Sequence, residues 1–225
     1  MSGFYTPGTF QQYLISWAKY VTPIPEAITD LASAAPLMCA GITLYAALKR
    51  AGVKHNDWVV VSGSGGGLGH LGIQYAKAHG ARVLGIDAAS KEEFSKSLGA
   101  DVFLDFRKYP EAADLTAKIH EVTGGGARIA LMCVSTQSAY DQAMGWLGFR
   151  GKLVILGVPE GEVKPIAGAV AGIMIGNETS ILALKTGNRL EAKEALDIVA
   201  AGHVTPHYEL RKMEELTQVS FGGLV

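Results

Sequence analysis

Two cysteines in 225 residues, Cys39 and Cys133, leave no disulfide framework and no CxxC pair. Twenty lysines and arginines stand against 21 acids, and neither sign is gathered into a block. A basic nucleic-acid face and an acidic tail are therefore both excluded as expectations. No 18-residue stretch is apolar without interruption, and the first residues, Met1 to Tyr5, carry neither a basic segment nor an apolar core of a secretory signal. The expectation is a soluble, cytoplasmic chain with neither a membrane nor a nucleic acid as partner.

What is present is apolar and glycine-rich. Hydrophobic residues make up 48% of the chain and 28 positions are glycine. The mean hydropathy of +0.21 is enough for a large core. The most informative stretch runs from Trp58 through Val59–Val61 into Ser62-Gly63-Ser64-Gly65-Gly66-Gly67-Leu68-Gly69. A continuous apolar run of this kind suits a buried parallel strand. After the glycines, Leu71, Ile73, Tyr75, Ala76 and Ala78 fall at helical spacing. A second strand then ends at Asp87, close to the ~20-residue distance from the turn that a ribose-binding acid keeps. This order suits a dinucleotide: the turn lets backbone approach a pyrophosphate, the helix N-terminus favours its charge, and the acid accepts ribose hydroxyls. Gly66 and Gly69, taken as the last two glycines of G-x-G-x-x-G, put Ser64 in the first place, with Gly63 widening the loop by one residue. Ser64, Gly65, Gly66, Gly67, Leu68, Gly69 and Asp87 are the candidate cofactor contacts.

Strand patterns fall at about 58–62, 82–86, 101–104, 128–133, 152–156 and 178–182. Helical patterns lie between them at about 67–79, 90–98, 110–123, 136–148, weakly at 165–173, and at 188–201. This alternation predicts an α/β fold: a doubly wound, six-stranded parallel sheet of order 3-2-1-4-5-6, with its ligand where strands 1 and 4 part. Residues 39–205 form this unit. Residues 1–38 read differently, with strand-like Thr9–Ile15 and Tyr20–Thr22 ahead of Pro23 and Pro25, as a remnant of another, all-β domain. Asp30 or Ser33 is placed to cap a short helix, and Ala40–Lys49 then carries a helical stripe of Ile42, Tyr45, Ala46 and Leu48. Residues 206–225 form a tail.

Several stretches resemble the yeast-type zinc-dependent alcohol dehydrogenases of the medium-chain dehydrogenase/reductase family. They are Ser2-Gly-Phe-Tyr5, Gly8-Thr-Phe-Gln-Gln-Tyr13, Ala35-Pro-Leu-Met-Cys-Ala-Gly-Ile-Thr-Leu-Tyr45, Ser62–Gly69, Gln74-Tyr-Ala-Lys77, Gly85-Ile-Asp87 and Gly187-Asn-Arg189. The resemblance implies a Rossmann domain that holds NAD. It makes Cys39 the surviving one of three protein ligands of a catalytic zinc, and Thr43 the threonine beside the nicotinamide. It also places Lys91 near the adenosine ribose, and Val134, Ser135 and Val158 at strand ends that meet adenosine and nicotinamide. A carboxylate at Asp87 repels a 2′-phosphate, which favours NAD over NADP. The family's other two zinc ligands and its proton relay have no counterpart here. None of His55, His70, His79, His120, His203 and His207 stands at HxE or HxxxH spacing with Cys39, so no zinc site is expected within the chain. The tail after Leu216 also departs from the family.

The resemblance implies an oxidoreductase exchanging hydride with small alcohols or aldehydes. Two alternatives stay open: an inactive NAD-binding module, and a truncated gene product without zinc. Two further expectations follow. An apolar face around Phe10, Tyr13, Leu37, Met38 and Leu44 should be exposed, and the strand 6 edge, Ile173–Leu184, could pair two subunits into a homo-oligomer.

Overall fold

The structure is a computed structural model that describes residues 11–159 and 164–215. Six strands, β1 (Trp58–Ser62), β2 (Arg82–Asp87), β3 (Val102–Asp105), β4 (Ala127–Met132), β5 (Leu147–Ile155) and β6 (Ser180–Ala183), form one sheet in the order β3-β2-β1-β4-β5-β6. Every neighbouring pair is parallel. The helices are α1 (Ala34–Pro36), α2 (Ile42–Ala51), α3 (Gly69–Ala78), α4 (Glu92–Ser97), α5 (Ala112–Thr123), α6 (Gln137–Ala143), α7 (Ala171–Asn177) and α8 (Arg189–Ala200). This is the expected doubly wound sheet, and β1 and β4 are the adjacent strands at which the winding reverses.

The sheet explains its own sequence. Successive side chains of a strand point to opposite faces. Val59 and Val61 join one core with Leu44 and Leu48 of α2, Leu71, Ile73 and Tyr75 of α3, and Leu196 of α8. Val60 between them joins the other core, with Leu115 and Ile119 of α5 and Tyr140 of α6. All three valines are at 0% exposure. A strand covered on both sides has no polar face to show, hence the uninterrupted apolar run. Gly85 in the middle of β2 has a local cause: a Cβ there would lie 2.9 Å from the Ser64 hydroxyl oxygen.

Ahead of β1, Leu31 to Ala51 is one helical run: a 3-10 turn (Leu31–Ser33), α1, a π turn (Leu37–Gly41) and α2. By length and composition it could cross a membrane. Here Leu37, Leu44 and Leu48 sit at or below 1% exposure, packed as a core helix of the domain. Asp30 begins the run as expected, its carboxylate accepting the Ala32 N–H at 3.1 Å.

Several expectations change. No strand forms between residues 11 and 33; the chain is coil apart from 3-10 turns at Ala18–Tyr20 and Leu31–Ser33. Alternating residues form a strand only where a ladder partner exists, and none of the six strands pairs with this segment. Thr9 and Phe10 lie outside the described residues, as does the tail from Leu216 onward. The expected apolar face is half right: Tyr13 is 89% exposed and Met38 39%, but Leu37 and Leu44 belong to the core. The helix expected over 136–148 stops early, at a 3-10 turn (Met144–Trp146), and β5 starts at Leu147. A register shift between Ala127 and Ile129 lengthens β5, with Arg150 at φ 59°. The weak helix expected over 165–173 is α7, shifted to Ala171–Asn177.

Candidate functional site

The glycine turn lies between β1 and α3, tied to the end of β2 by the Gly63 and Ser64 N–H groups, which both donate to the Ile86 carbonyl at 2.8 and 3.2 Å. Its register differs from the sequence reading. Gly63, at φ 75°, is the residue that needs the left-handed region, and a Cβ there would meet Val134 Cγ1 at 2.7 Å. Ser64 does not stand in for a glycine. It is wholly buried, its hydroxyl 2.9 Å from that of Ser95 in α4. Gly69 lets the first turn of α3 close on the strand end, since a Cβ there would lie 2.0 Å from the Gly63 carbonyl oxygen. Gly66 and Gly67 are exposed, and a Cβ on Gly67 would meet nothing within 4 Å. Between these two tight positions the loop thus presents bare backbone to open space at the N-terminus of a helix.

Asp87 closes the turn from the end of β2. One carboxylate oxygen accepts the Gly65 N–H at 2.8 Å and the other the Ala88 N–H at 2.7 Å. Each oxygen keeps a second lone pair for a further donor. Lys91 lies across the same loop: a Cβ on Gly65 would fall 2.6 Å from Lys91 Cβ, so the lysine stem covers Gly65 while its head remains in solvent.

Beside the turn opens a cleft of about 250 Å³, lined by Ser62, Gly63, Asp87, Phe106, Val134 and Trp146 among others. Asp87 and Val134 are among the residues expected from the sequence. Phe106, 46% exposed just past β3, and Trp146, 1% exposed, are not. Phe106 could have been found, because it is an exposed aromatic at the carboxyl end of a strand, where ligands of such sheets bind. Trp146 gives no local signal. It follows α6 in sequence and reaches the cleft only through packing, and its indole N–H finds no acceptor. Ser135 is exposed past β4, and Val158 is 79% exposed past β5.

Thr43 and Cys39 sit apart from the lining of this cleft. Thr43 is buried on α2, and its hydroxyl donates to the Cys39 carbonyl at 2.7 Å, with Thr186 Oγ1 at 3.4 Å. Cys39 is exposed on the π turn. Among the described residues no group of three or more His, Cys, Asp or Glu side chains could hold a metal. Among the described residues Cys39 thus stands without the two further protein ligands that a catalytic zinc site requires. The two thiols differ sharply. Burial pushes the Cys133 thiol up to about 12, and only a thiolate is a good nucleophile. In the native chain a disulfide reagent should therefore titrate Cys39 rapidly and leave Cys133 until denaturant is added. Two fast thiols would contradict this packing.

A doubly wound parallel sheet with a glycine turn and a strand-end acid at its crevice defines a dinucleotide-binding α/β domain. The chain belongs to the zinc-binding dehydrogenase family, whose profile matches residues 67–201, more than half of its length. It is 44% identical over 225 residues to alcohol dehydrogenase 2 of Emericella nidulans, an alignment covering 97% of this chain and 61% of that relative. In structure it is similar to the alcohol dehydrogenase of the archaeon Aeropyrum pernix, with a TM-score of 0.84 and 29% identity, over 97% of this chain and 62% of that one. It is also similar to acetophenone reductase from Geotrichum candidum, solved in complex with NAD, with a TM-score of 0.80 and 25% identity, over 97% and 60% of the two chains. The chain thus spans about three fifths of the length of each of these relatives.

Proposed function

We propose that this chain is the NAD(H)-holding part of an alcohol dehydrogenase-type oxidoreductase whose substrates are small alcohols and aldehydes. The observation that carries this reading is the pairing of Asp87 with the Gly65 N–H at the rim of an open glycine loop. The residues present suit the cofactor. The bare backbone of Gly66 and Gly67 would receive the pyrophosphate, and Asp87 the ribose hydroxyls. The cleft between Asp87, Phe106 and Val134 would receive the flat faces of the adenine ring. When bound, the nicotinamide supplies the hydride exchanged with the substrate. The chain's own part is to bind, orient and select: the Asp87 carboxylate would repel a 2′-phosphate.

A second reading, an NAD-holding module without turnover, is supported by the fact that, among the described residues, Cys39 belongs to no group of three or more His, Cys, Asp or Glu side chains that could hold a metal. One pair of measurements tests both. Fluorescence titration should show NADH binding at least ~10-fold tighter than NADPH, a gap of about 1.4 kcal/mol. Ethanol-dependent NADH production by this chain should be negligible. Equal affinity for the two cofactors would sink the assignment to Asp87. Turnover at enzymatic rates, abolished by Cys39→Ala, would sink the second reading.

A further inference from the structure

His70, the second residue of α3, is 4% exposed, and its ring is held on every side. Nδ1 lies 3.1 Å from the Gly66 carbonyl oxygen, and Nε2 lies 3.2 Å from the backbone nitrogen of His207. A carbonyl only accepts and a backbone N–H only donates, so Nδ1 carries the proton and Nε2 is bare. This fixes the neutral ring and one of its two tautomers. Burial is the largest influence and holds His70 below the ordinary histidine value; the Gly66 carbonyl pulls the other way and the facing His207 adds to the lowering, a direction that agrees with a neutral ring. Phe94 of α4 stacks on the ring at 6.3 Å, and the His207 ring meets it edge-on at 6.0 Å. The segment that carries His207 is itself clamped to α3. Gln74 donates to the Thr205 carbonyl at 3.0 Å and accepts its N–H at 2.8 Å.

The Gly66 carbonyl takes two bonds from this one residue, from Nδ1 and from the His70 backbone N–H at 3.0 Å. In a trans peptide the C=O and the N–H of the next residue point in opposite directions. Turning the Gly66 carbonyl inward toward His70 turns the Gly67 N–H outward, on the residue whose missing Cβ faces open space. A glycine pair has little steric preference of its own, and without the ring the Gly66 carbonyl would keep only the backbone bond from His70.

We propose that His70, as its neutral Nδ1–H tautomer, is a positioning residue that fixes the Gly66–Gly67 peptide so that the Gly67 N–H faces the cofactor's phosphates. The proposal rests on the NAD(H) reading. Its first test is made without cofactor, so that the two fail separately.

Long-range nitrogen NMR of the full chain should show the Nδ1–H form of His70 at pH 7.5. The Gly67 amide resonance should keep its position in His70→Asn, whose Nδ2 sits where Nδ1 does, and move in His70→Leu. An Nε2–H tautomer, or a Gly67 amide that responds alike to both changes, overturns the proposal whether or not NADH binds. With NADH, His70→Asn should bind within ~3-fold of the parent and His70→Leu at least ~10-fold more weakly, following the orientation of one phosphate-binding N–H. Equal weakening in both variants would reduce His70 to a packing residue. If His70→Leu does not fold, the tautomer and the asparagine variant still decide.

Discussion

Replacing Gly69 by alanine is expected to destabilise the fold by roughly 3 kcal/mol or more, the upper range for forcing atoms into a filled site. The new methyl would lie 2.0 Å from the Gly63 carbonyl oxygen and 2.7 Å from Ser64 Cα. Both are backbone atoms, so no side-chain rotation relieves the clash. Relief requires the turn to open, and the turn is fixed to β2 through Ile86 and to the chain just past β4 by the Cys133 N–H, which donates to the Ser62 carbonyl at 3.1 Å. Gly67→Ala is the matched control. Its methyl meets nothing within 4 Å, so stability should stay within about 0.5 kcal/mol, as at other open surface positions. Its NADH affinity should nonetheless fall, because the methyl stands where backbone must approach phosphate. Urea melts and NADH titrations of the two variants check both halves. A Gly69→Ala protein of parental stability would show that the turn is looser than described. A Gly67→Ala protein with full affinity would place the phosphates elsewhere.

The fold was legible where burial leaves a mark on neighbouring residues. Val59–Val61 announces a strand covered on both faces, and the alternation of such runs with helical spacing yields the sheet order. The site was legible only in part. Counting back from Gly66 and Gly69 put Ser64 where Gly63 belongs, because the reason for Gly63 is a contact with Val134, far along the chain. Trp146 reaches the cleft from the 3-10 turn before β5 and Phe106 from just past β3, a convergence that only packing creates. Tyr13 and Ile15 misled in the opposite way: they alternate as strand residues do, yet Ile15 is 100% exposed and pairs with no strand. A periodic pattern reports what a segment could bury, and the partner that would bury it is not written in the segment. His70 and Gln74 illustrate the same limit. Both read as helix residues, and both act on segments remote in sequence, His70 on His207 and Gln74 on Thr205.

The link between α2 and α8 should fail most visibly at Glu191. This carboxylate is 5% exposed and accepts Arg50 Nε at 2.9 Å, Arg50 Nη2 at 2.6 Å and the Asn188 N–H at 2.6 Å. Asn188 returns the bond by accepting the Glu191 N–H at 3.0 Å, which completes a capping box at the start of α8. One side chain thus caps α8 and holds α2 against it, with Tyr45 and Lys49 bound to Glu194 one turn further on. Glu191→Ala strips acceptors from a guanidinium and a helix-end N–H together. The Arg50 side chain keeps 38% of its surface in water, which places the loss at the low end for a broken buried pair, about 3 kcal/mol. For a chain of this size that is a fall in Tm of roughly 6–12 °C. The bond from Arg50 holds the Glu191 carboxyl below the usual carboxylate range, with the Asn188 N–H adding to it. A depressed folded value means that the unfolded chain takes up the proton first. The stabilisation is therefore complete above the unfolded value of about 4.3 and is lost as pH falls below it. The stability gap between parent and Glu191→Ala should be widest near neutral pH and narrow as the pH drops from about 5 toward 3. A gap that stays constant across that range would mean that the charge of Glu191 contributes nothing and that only its shape matters. Glu191→Gln, which keeps the shape and drops the charge, would then be as stable as the parent.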